Sequence, residues 1–309
     1  MPMTLRRTTA LIVSTAFVCT AVGLYGFSTL VTGRSFSDLE RSYAERDIDR
    51  ARNAIANEIA QLDTTATDWA SWDATWEYMR DRDRAYEEEN LGLETLETLD
   101  LNYLVLVGLD GKPVLTRAAD LESGEPRPPA PDLFREVAIP PRLPAQAAES
   151  YTRSGIVILE SGPLMFALRP VLTSEDGGPA RGFLLMGRYL DSRTLERLSE
   201  QTLLDLSLET DEAREGDSVS ITELDGDTLL VAGDIATENP KGTLSLQARI
   251  DRDIAREATR VSRSVLIVAA AVTLVMGCAI FWLLERLVVR RLRRLSSELG
   301  GIGGSGTLG

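Results

Sequence analysis

The chain has 309 residues with 33 basic and 47 acidic side chains, a formal charge of −14 and no histidine. The missing histidine excludes Ser-His-Asp and Cys-His catalysis, histidine metal sites and a phosphoacceptor histidine within this sequence. The acid surplus excludes nucleic acid as an expected partner, because phosphate binding needs clustered cations.

No charged residue lies between Arg7 and Arg34, and the run Leu11 to Val31 is mostly apolar. That length suits the ~30 Å hydrocarbon core of a bilayer. It predicts a cytoplasmic N-terminus at 1–7 and a transmembrane helix at 8–33. A cleaved leader has a shorter apolar core, ~7–15 residues, so this run reads as a retained anchor. Phe17 and Val18 are too bulky to precede a lipidated Cys19. A second uncharged run, Ser264 to Leu284, predicts a transmembrane helix at 264–285. Arg6 and Arg7 precede the first run, and Arg286, Arg290, Arg291, Arg293 and Arg294 follow the second. Basic flanks stay inside, so both termini are expected in the cytoplasm and 34–263 outside. The expected topology is two-pass, with the lipid bilayer as a partner. Both cysteines, Cys19 and Cys278, fall in the predicted spans, so no disulfide is expected outside.

Residues 36–79 read as helix. Ile48, Ile55, Leu62, Trp69 and Trp76 recur every seven residues, one apolar stripe along a helix or two nearly collinear ones, suited to a helix partner or a sheet face. Glu87 to Leu99 reads as a short acidic helix. Asn102 to Gly108 has a buried-strand pattern, and the Asp110-Gly111 turn leads it into Val114 to Arg117 as a hairpin. Glu122 to Pro144 holds seven of the 13 prolines, a loop with one helical piece at 132–137. Strands are predicted at Gly155–Leu159, Leu164–Leu172 and Gly182–Arg188, then a helix at 191–201. Weaker strands at 204–209, 218–223, 228–232 and 243–250 precede a helix running from about Asp251 into the second span. This order is α+β: a long N-terminal helix packed on an antiparallel sheet around one core, flanked by two transmembrane helices.

The string Asp68-Trp-Ala-Ser-Trp-Asp-Ala-Thr-Trp-Glu-Tyr78, followed by Tyr86-Glu-Glu-Glu-Asn-Leu91, the strand and Asp110-Gly111, resembles the type-four CHASE domain. That family is an extracytoplasmic sensory domain of bacterial signalling receptors. Ser154-Gly-Ile-Val, Arg169-Pro-Val-Leu-Thr and Arg181-Gly-Phe-Leu-Leu-Met-Gly-Arg188 extend the resemblance, which covers roughly 45–200. It implies a PAS-like or Cache-like fold and, with the two-pass topology, a bacterial inner membrane with the outer domain periplasmic. Arg290 to Ile302 looks like the opening helix of a HAMP linker, with Leu292, Leu295, Leu299 and Ile302 at dimer-seam spacing. The segment 286–309 is therefore expected to be a truncated HAMP-like piece. The family implies an output of cyclic-di-GMP synthase, phosphodiesterase or kinase type, which is expected to lie outside this chain.

Three of the four tryptophans fall within eight positions. On one continuous helix Trp69, Trp72 and Trp76 would share a face, with Asp73 roughly 40° from Trp69 and Asp68 on the flank. Aromatic walls with a carboxylate suit an amine or other cationic ligand, and core packing with capping aspartates is the competing reading. Tyr103, opening the first strand, and Arg169, in an apolar strand, complete the candidate ligand site; a buried Arg169 needs a partner such as a ligand carboxylate or Asp73. The acidic clusters at 87–89 and 211–217 lack the spacing of a calcium loop, so no metal and no cofactor are expected. The expected function is sensory input: a homodimeric receptor module binds an unknown small molecule outside and relays it through HAMP, without catalysis of its own. The alternative is a membrane-anchored periplasmic scaffold that binds a protein partner and relays nothing.

Overall fold

The computed structural model describes residues 3–175, 177–211, 219–225, 228–238, 243–251, 264, 267–268, 270–280, 282 and 286. The chain divides into two compact units, Met1–Ser42 with Arg252–Gly309, and Tyr43–Asp251. Helix α1 (Met3–Ala70) begins in the first and continues into the second. Among the described residues no helix is long and apolar enough to cross a membrane. The HAMP-like segment and the helix expected at 252–263 lie outside the described residues, Arg286 apart. Asp251 itself ends a strand rather than starting that helix.

The second unit is built on two antiparallel sheets. The five-stranded sheet has the order β2-β1-β5-β4-β3, from β1 (Tyr103–Gly108), β2 (Pro113–Ala118), β3 (Arg153–Leu159), β4 (Gly162–Pro170) and β5 (Gly182–Tyr189). The four-stranded sheet has the order β6-β9-β8-β7, from β6 (Asp205–Asp211), β7 (Ser220–Asp225), β8 (Thr228–Ile235) and β9 (Thr243–Asp251). The weak strand signals after residue 204 are thus real strands, but they form a second sheet. Short helices α2 (Asp73–Asp81), α3 (Arg84–Asn90) and α4 (Leu93–Thr98) lead into β1. The single acidic helix expected at 87–99 is split between α3 and α4 at Leu91–Gly92. Helix α5 (Leu133–Glu136) interrupts the proline-rich loop, α6 (Ala145–Ala148) follows it, and α7 (Ser192–Thr202) joins the sheets.

The predicted stripe of α1 is the spine of the core. Ala44, Ile48, Ala51, Ile55, Leu62, Ala66 and Ala70 are buried along it. They pack in one cluster with Leu104, Leu106, Met165, Ala167, Leu184 and Met186 of the first sheet, and with Leu206, Val231, Leu244 and Leu246 of the second. Alternate residues of the same strands point the other way. Tyr103, Val105, Val107, Phe166, Leu168, Phe183 and Leu185 form a separate cluster with Leu133 and Val137 of the proline-rich loop. One core was expected, and there are two, because covering loops bury the second face of the sheet. Strands buried on both faces read as continuous apolar runs, as 103–107 does. The Asp110-Gly111 turn is present, with Gly111 at φ +76 and a Cβ there meeting Pro140 and Pro141.

Candidate functional site

The tryptophan box does not lie on one helix. Helix α1 stops at Ala70, Trp72 is extended (φ −88, ψ 133), and α2 starts at Asp73. Helix ends leave backbone groups without intrahelical partners, and here the β4–β5 connector supplies them. Leu172 N donates to Ala70 O at 3.0 Å. Asp73 N donates to Ser174 Oγ at 3.2 Å, and Ser174 N donates back to Asp73 Oδ1 at 3.0 Å. Trp76 Nε1 donates to Pro179 O at 3.1 Å. Arg181 donates to Trp76 O at 2.8 Å and places its guanidinium over the Trp76 ring. Burial and then Arg80 hold that guanidinium below its ordinary pKa. The cation position at Trp76 that the sequence reserved for a ligand is thus filled by the chain's own arginine.

Trp69 and Trp72 form the other half of the box. Their rings stack at 4.8 Å with 23° between planes, Trp69 half-buried and Trp72 40% exposed. Asp68 and Asp73 are exposed. The break turns Asp73 from a wall of a ligand site into a cross-loop clamp.

The two remaining candidates lie elsewhere. Arg169 makes a two-pronged pair with Asp63 of α1, through Nε and Nη2, rather than with Asp73. Tyr103 points to the opposite face of the sheet from α1, where its hydroxyl meets Tyr189 Oη at 2.7 Å. Burial, reinforced by that hydrogen bond, raises the Tyr103 phenol above its ordinary pKa. The structure therefore brings Trp69, Trp72, Asp73 and Trp76 together and separates Tyr103 and Arg169 from them.

A buried ionic knot was not anticipated. Glu58 on α1 is 7% exposed and its Oε2 accepts from Arg188 at 2.7 Å and Arg197 at 3.1 Å. Arg188 also donates to Asp100 O and Leu99 O, and Arg197 donates to Asp100 Oδ2 at 2.9 Å. Burial opposes the charge of Arg197, but Asp100 and Glu58 outweigh it and raise its pKa. The knot ties α1 to β5, α7 and the α4–β1 turn. The sequence signal for it was an acid in the buried stripe, Glu58 between Ile55 and Leu62. A third cluster joins α2, α3 and β2. Tyr78 donates to Glu87 Oε2 at 2.7 Å and Arg117 pairs with Glu87 at 2.6 Å. Burial and then Glu87 push the Tyr78 phenol up to about 12. Tyr78 first, then Arg117, with burial opposing, hold Glu87 below the usual carboxylate range. Among the described residues no three His, Cys, Asp or Glu side chains gather as a metal site.

Residues 54–209, about half the chain, match the family model described as the CHASE4 domain. The methanogenesis regulatory histidine kinase FilI of Methanothrix harundinacea (strain 6Ac) is 26% identical over 312 residues, covering 97% of this chain and 34% of that protein. The chain thus spans about a third of that curated relative's length. Among solved structures, the extracellular domain of vpHK1S-Z8 has a TM-score of 0.48 at 12% identity, covering 74% of this chain and 96% of that one. A domain of a sensory box/GGDEF family protein from Vibrio parahaemolyticus has a TM-score of 0.45 at 13% identity, covering 68% and 95%.

Proposed function

The chain belongs to the CHASE4 domain family, and from that premise we propose that it is the sensory input of a membrane receptor with a histidine kinase output. The kinase output is supported by FilI, which is similar across nearly the whole chain; nothing comparable supports a cyclic-di-GMP enzyme. In this reading 8–33 and 264–285 span the cytoplasmic membrane, 34–263 faces outside, 286–309 opens a HAMP linker, and two copies pair. A small molecule outside is the signal, and the exposed faces of Trp72 and Asp68 remain available to it.

The observation that carries the reading is the way α1 is held. It is helical from Met3 to Ala70, and its outer part is fixed by three polar attachments: the clamp at its end, Asp63–Arg169 and the Glu58 knot. A helix held this way changes position when an attachment is exchanged, and its length carries the change towards the first span. A signal preferring one of two states by 10–100-fold supplies only ~1.4–2.7 kcal/mol, so the states must lie that close.

The test joins Met1–Gly309 to a histidine kinase catalytic portion and measures autophosphorylation in vesicles. Asp73→Ala and Trp72→Ala are expected to shift basal output severalfold at equal protein level. Output unchanged in both variants removes the box from signalling and favours the scaffold reading.

A further inference from the structure

Strand β6 is an edge of the four-stranded sheet, with β9 as its neighbour. Leu206 stands opposite Ala248, but its N–H donates to Ser199 Oγ of α7 at 3.2 Å. That N–H is therefore turned away from β9. In antiparallel pairs, residues that exchange ladder bonds alternate with residues that do not. Leu208 and Thr210, opposite Leu246 and Leu244, repeat the setting of Leu206. Their N–H and C=O groups point outward along the edge, past the place that Ser199 fills.

Beside this edge runs a groove of about 650 Å³ between β6 and α7. Leu195, Leu206 and Leu208 line it, and Leu195 and Leu208 are only half-buried. Its rim is acidic. Asp191, Glu196 and Asp205 stand there, and among the described residues no lysine or arginine lines the groove. Asp205 is shared with Arg249 of β9 at 3.0 Å, and Asp191 Oδ1 accepts from Thr194 N at 2.9 Å. Glu196 is exposed on α7. Even with Arg249 set against Asp205, the groove keeps a surplus of negative charge.

These features select the occupant. An open strand edge presents donors and acceptors at strand spacing, which another extended backbone matches and a simple amine does not. The half-buried leucines suit an apolar side chain laid against α7. The acidic rim suits a cation. The same acids turn away a second copy of β6, because Asp205 and Glu209 would meet their own kind across the pair.

We propose that β6 and its groove bind an extended, basic segment of a partner protein, added to the sheet as a further strand. Leu208 and Thr210 supply the main-chain bonds. Side chains alternate along a strand, so the segment lays an apolar residue against Leu195 and Leu208. Two positions along, it sets a lysine or arginine against Glu196 and Asp191. The surface shares no residue with the tryptophan box, and the binding does not rest on the receptor reading.

The probe is a fluorescent peptide, Thr-Val-Thr-Lys repeated twice, read by anisotropy against the full chain in detergent. It is expected to bind with Kd below about 0.1 mM. The same peptide with glutamate for lysine should bind at least about tenfold more weakly. So should the lysine peptide N-methylated throughout its backbone, which has no N–H to give the edge. In the protein, Glu196→Lys reverses the charge of an exposed side chain and should weaken binding about tenfold. Thr210→Pro removes one outward N–H at the kind of edge position that tolerates proline, and should weaken binding about as much. Glu200→Lys, at an exposed acid of α7 that does not line the groove, should leave Kd unchanged. No binding, equal binding of either altered peptide, or equal losses from Glu196→Lys and Glu200→Lys overturns the proposal. An unchanged Kd in Glu196→Lys or in Thr210→Pro does the same.

Discussion

The two sheets share α1 but are secured in different ways. The five-stranded sheet is buried on both faces, with Phe166, Phe183 and Tyr103 fully enclosed. Three sets of polar contacts fasten it to α1 and its ends. In the four-stranded sheet only one face is deeply buried. Its edge strand β7 is exposed along nearly its whole length, and β8 alternates between buried and half-buried positions. Burial supplies roughly 1.5–3 kcal/mol per large side chain, so the first sheet holds most of the unit's stability. The lesson is that α1 lies between a firm partner and a yielding one, an arrangement in which a small free-energy change moves the helix against the yielding side.

The sharpest way to break that comparison is Phe166→Ala. It empties a fully enclosed site and should cost about 3–5 kcal/mol, read as a loss of denaturant midpoint for the whole unit. Glu58→Gln should come next, at about 3 kcal/mol, because it removes the charge that Arg188 and Arg197 share and leaves Asp100 to face both guanidiniums. Leu246→Ala should cost about 2–3 kcal/mol, but locally. Native-state hydrogen exchange should quicken in β7, β8 and β9 while β1 amides keep their protection. Equal loosening of both sheets would contradict the asymmetry.

The smallest effect concerns pH. Glu87 is held below its ordinary value, so its contribution is present above the usual carboxylate range and lost as pH falls through it. Tyr78 is raised to about 12, so its contribution is present below its ordinary value of about 10 and lost as pH rises from there towards 12. Thermal midpoints across pH should fall at both extremes, and Tyr78→Phe should flatten the alkaline side.

Much of this was legible because it is periodic. The seven-residue stripe marked α1, continuous apolar runs marked β1, β4 and β5, and Asp110-Gly111 marked a hairpin. The break at Ser71–Trp72 was not legible, since neither residue forbids a helix and the groups that end it, Leu172 N and Ser174 Oγ, come from about a hundred residues away. The same distance hid the partners of Arg169 and Glu58. Tyr103 was placed correctly at the start of a strand, but which face it took depended on the register with β5, where it pairs with Gly187. For the box, aromatic type and spacing were informative, while the role of Asp73 was decided by the turn between β4 and β5, whose partner the sequence does not show.

The central claim is that α1 shifts against the sheets when its attachments change. The most direct measurement is the distance distribution between spin labels at Gln61 on α1 and Glu160 at the β3–β4 turn, taken on the membrane-inserted chain with and without Asp73→Ala. The account predicts a displaced or broadened distribution in the variant, accompanied by altered kinase output in the fusion. An identical distribution alongside altered output would mean that the signal travels by another route.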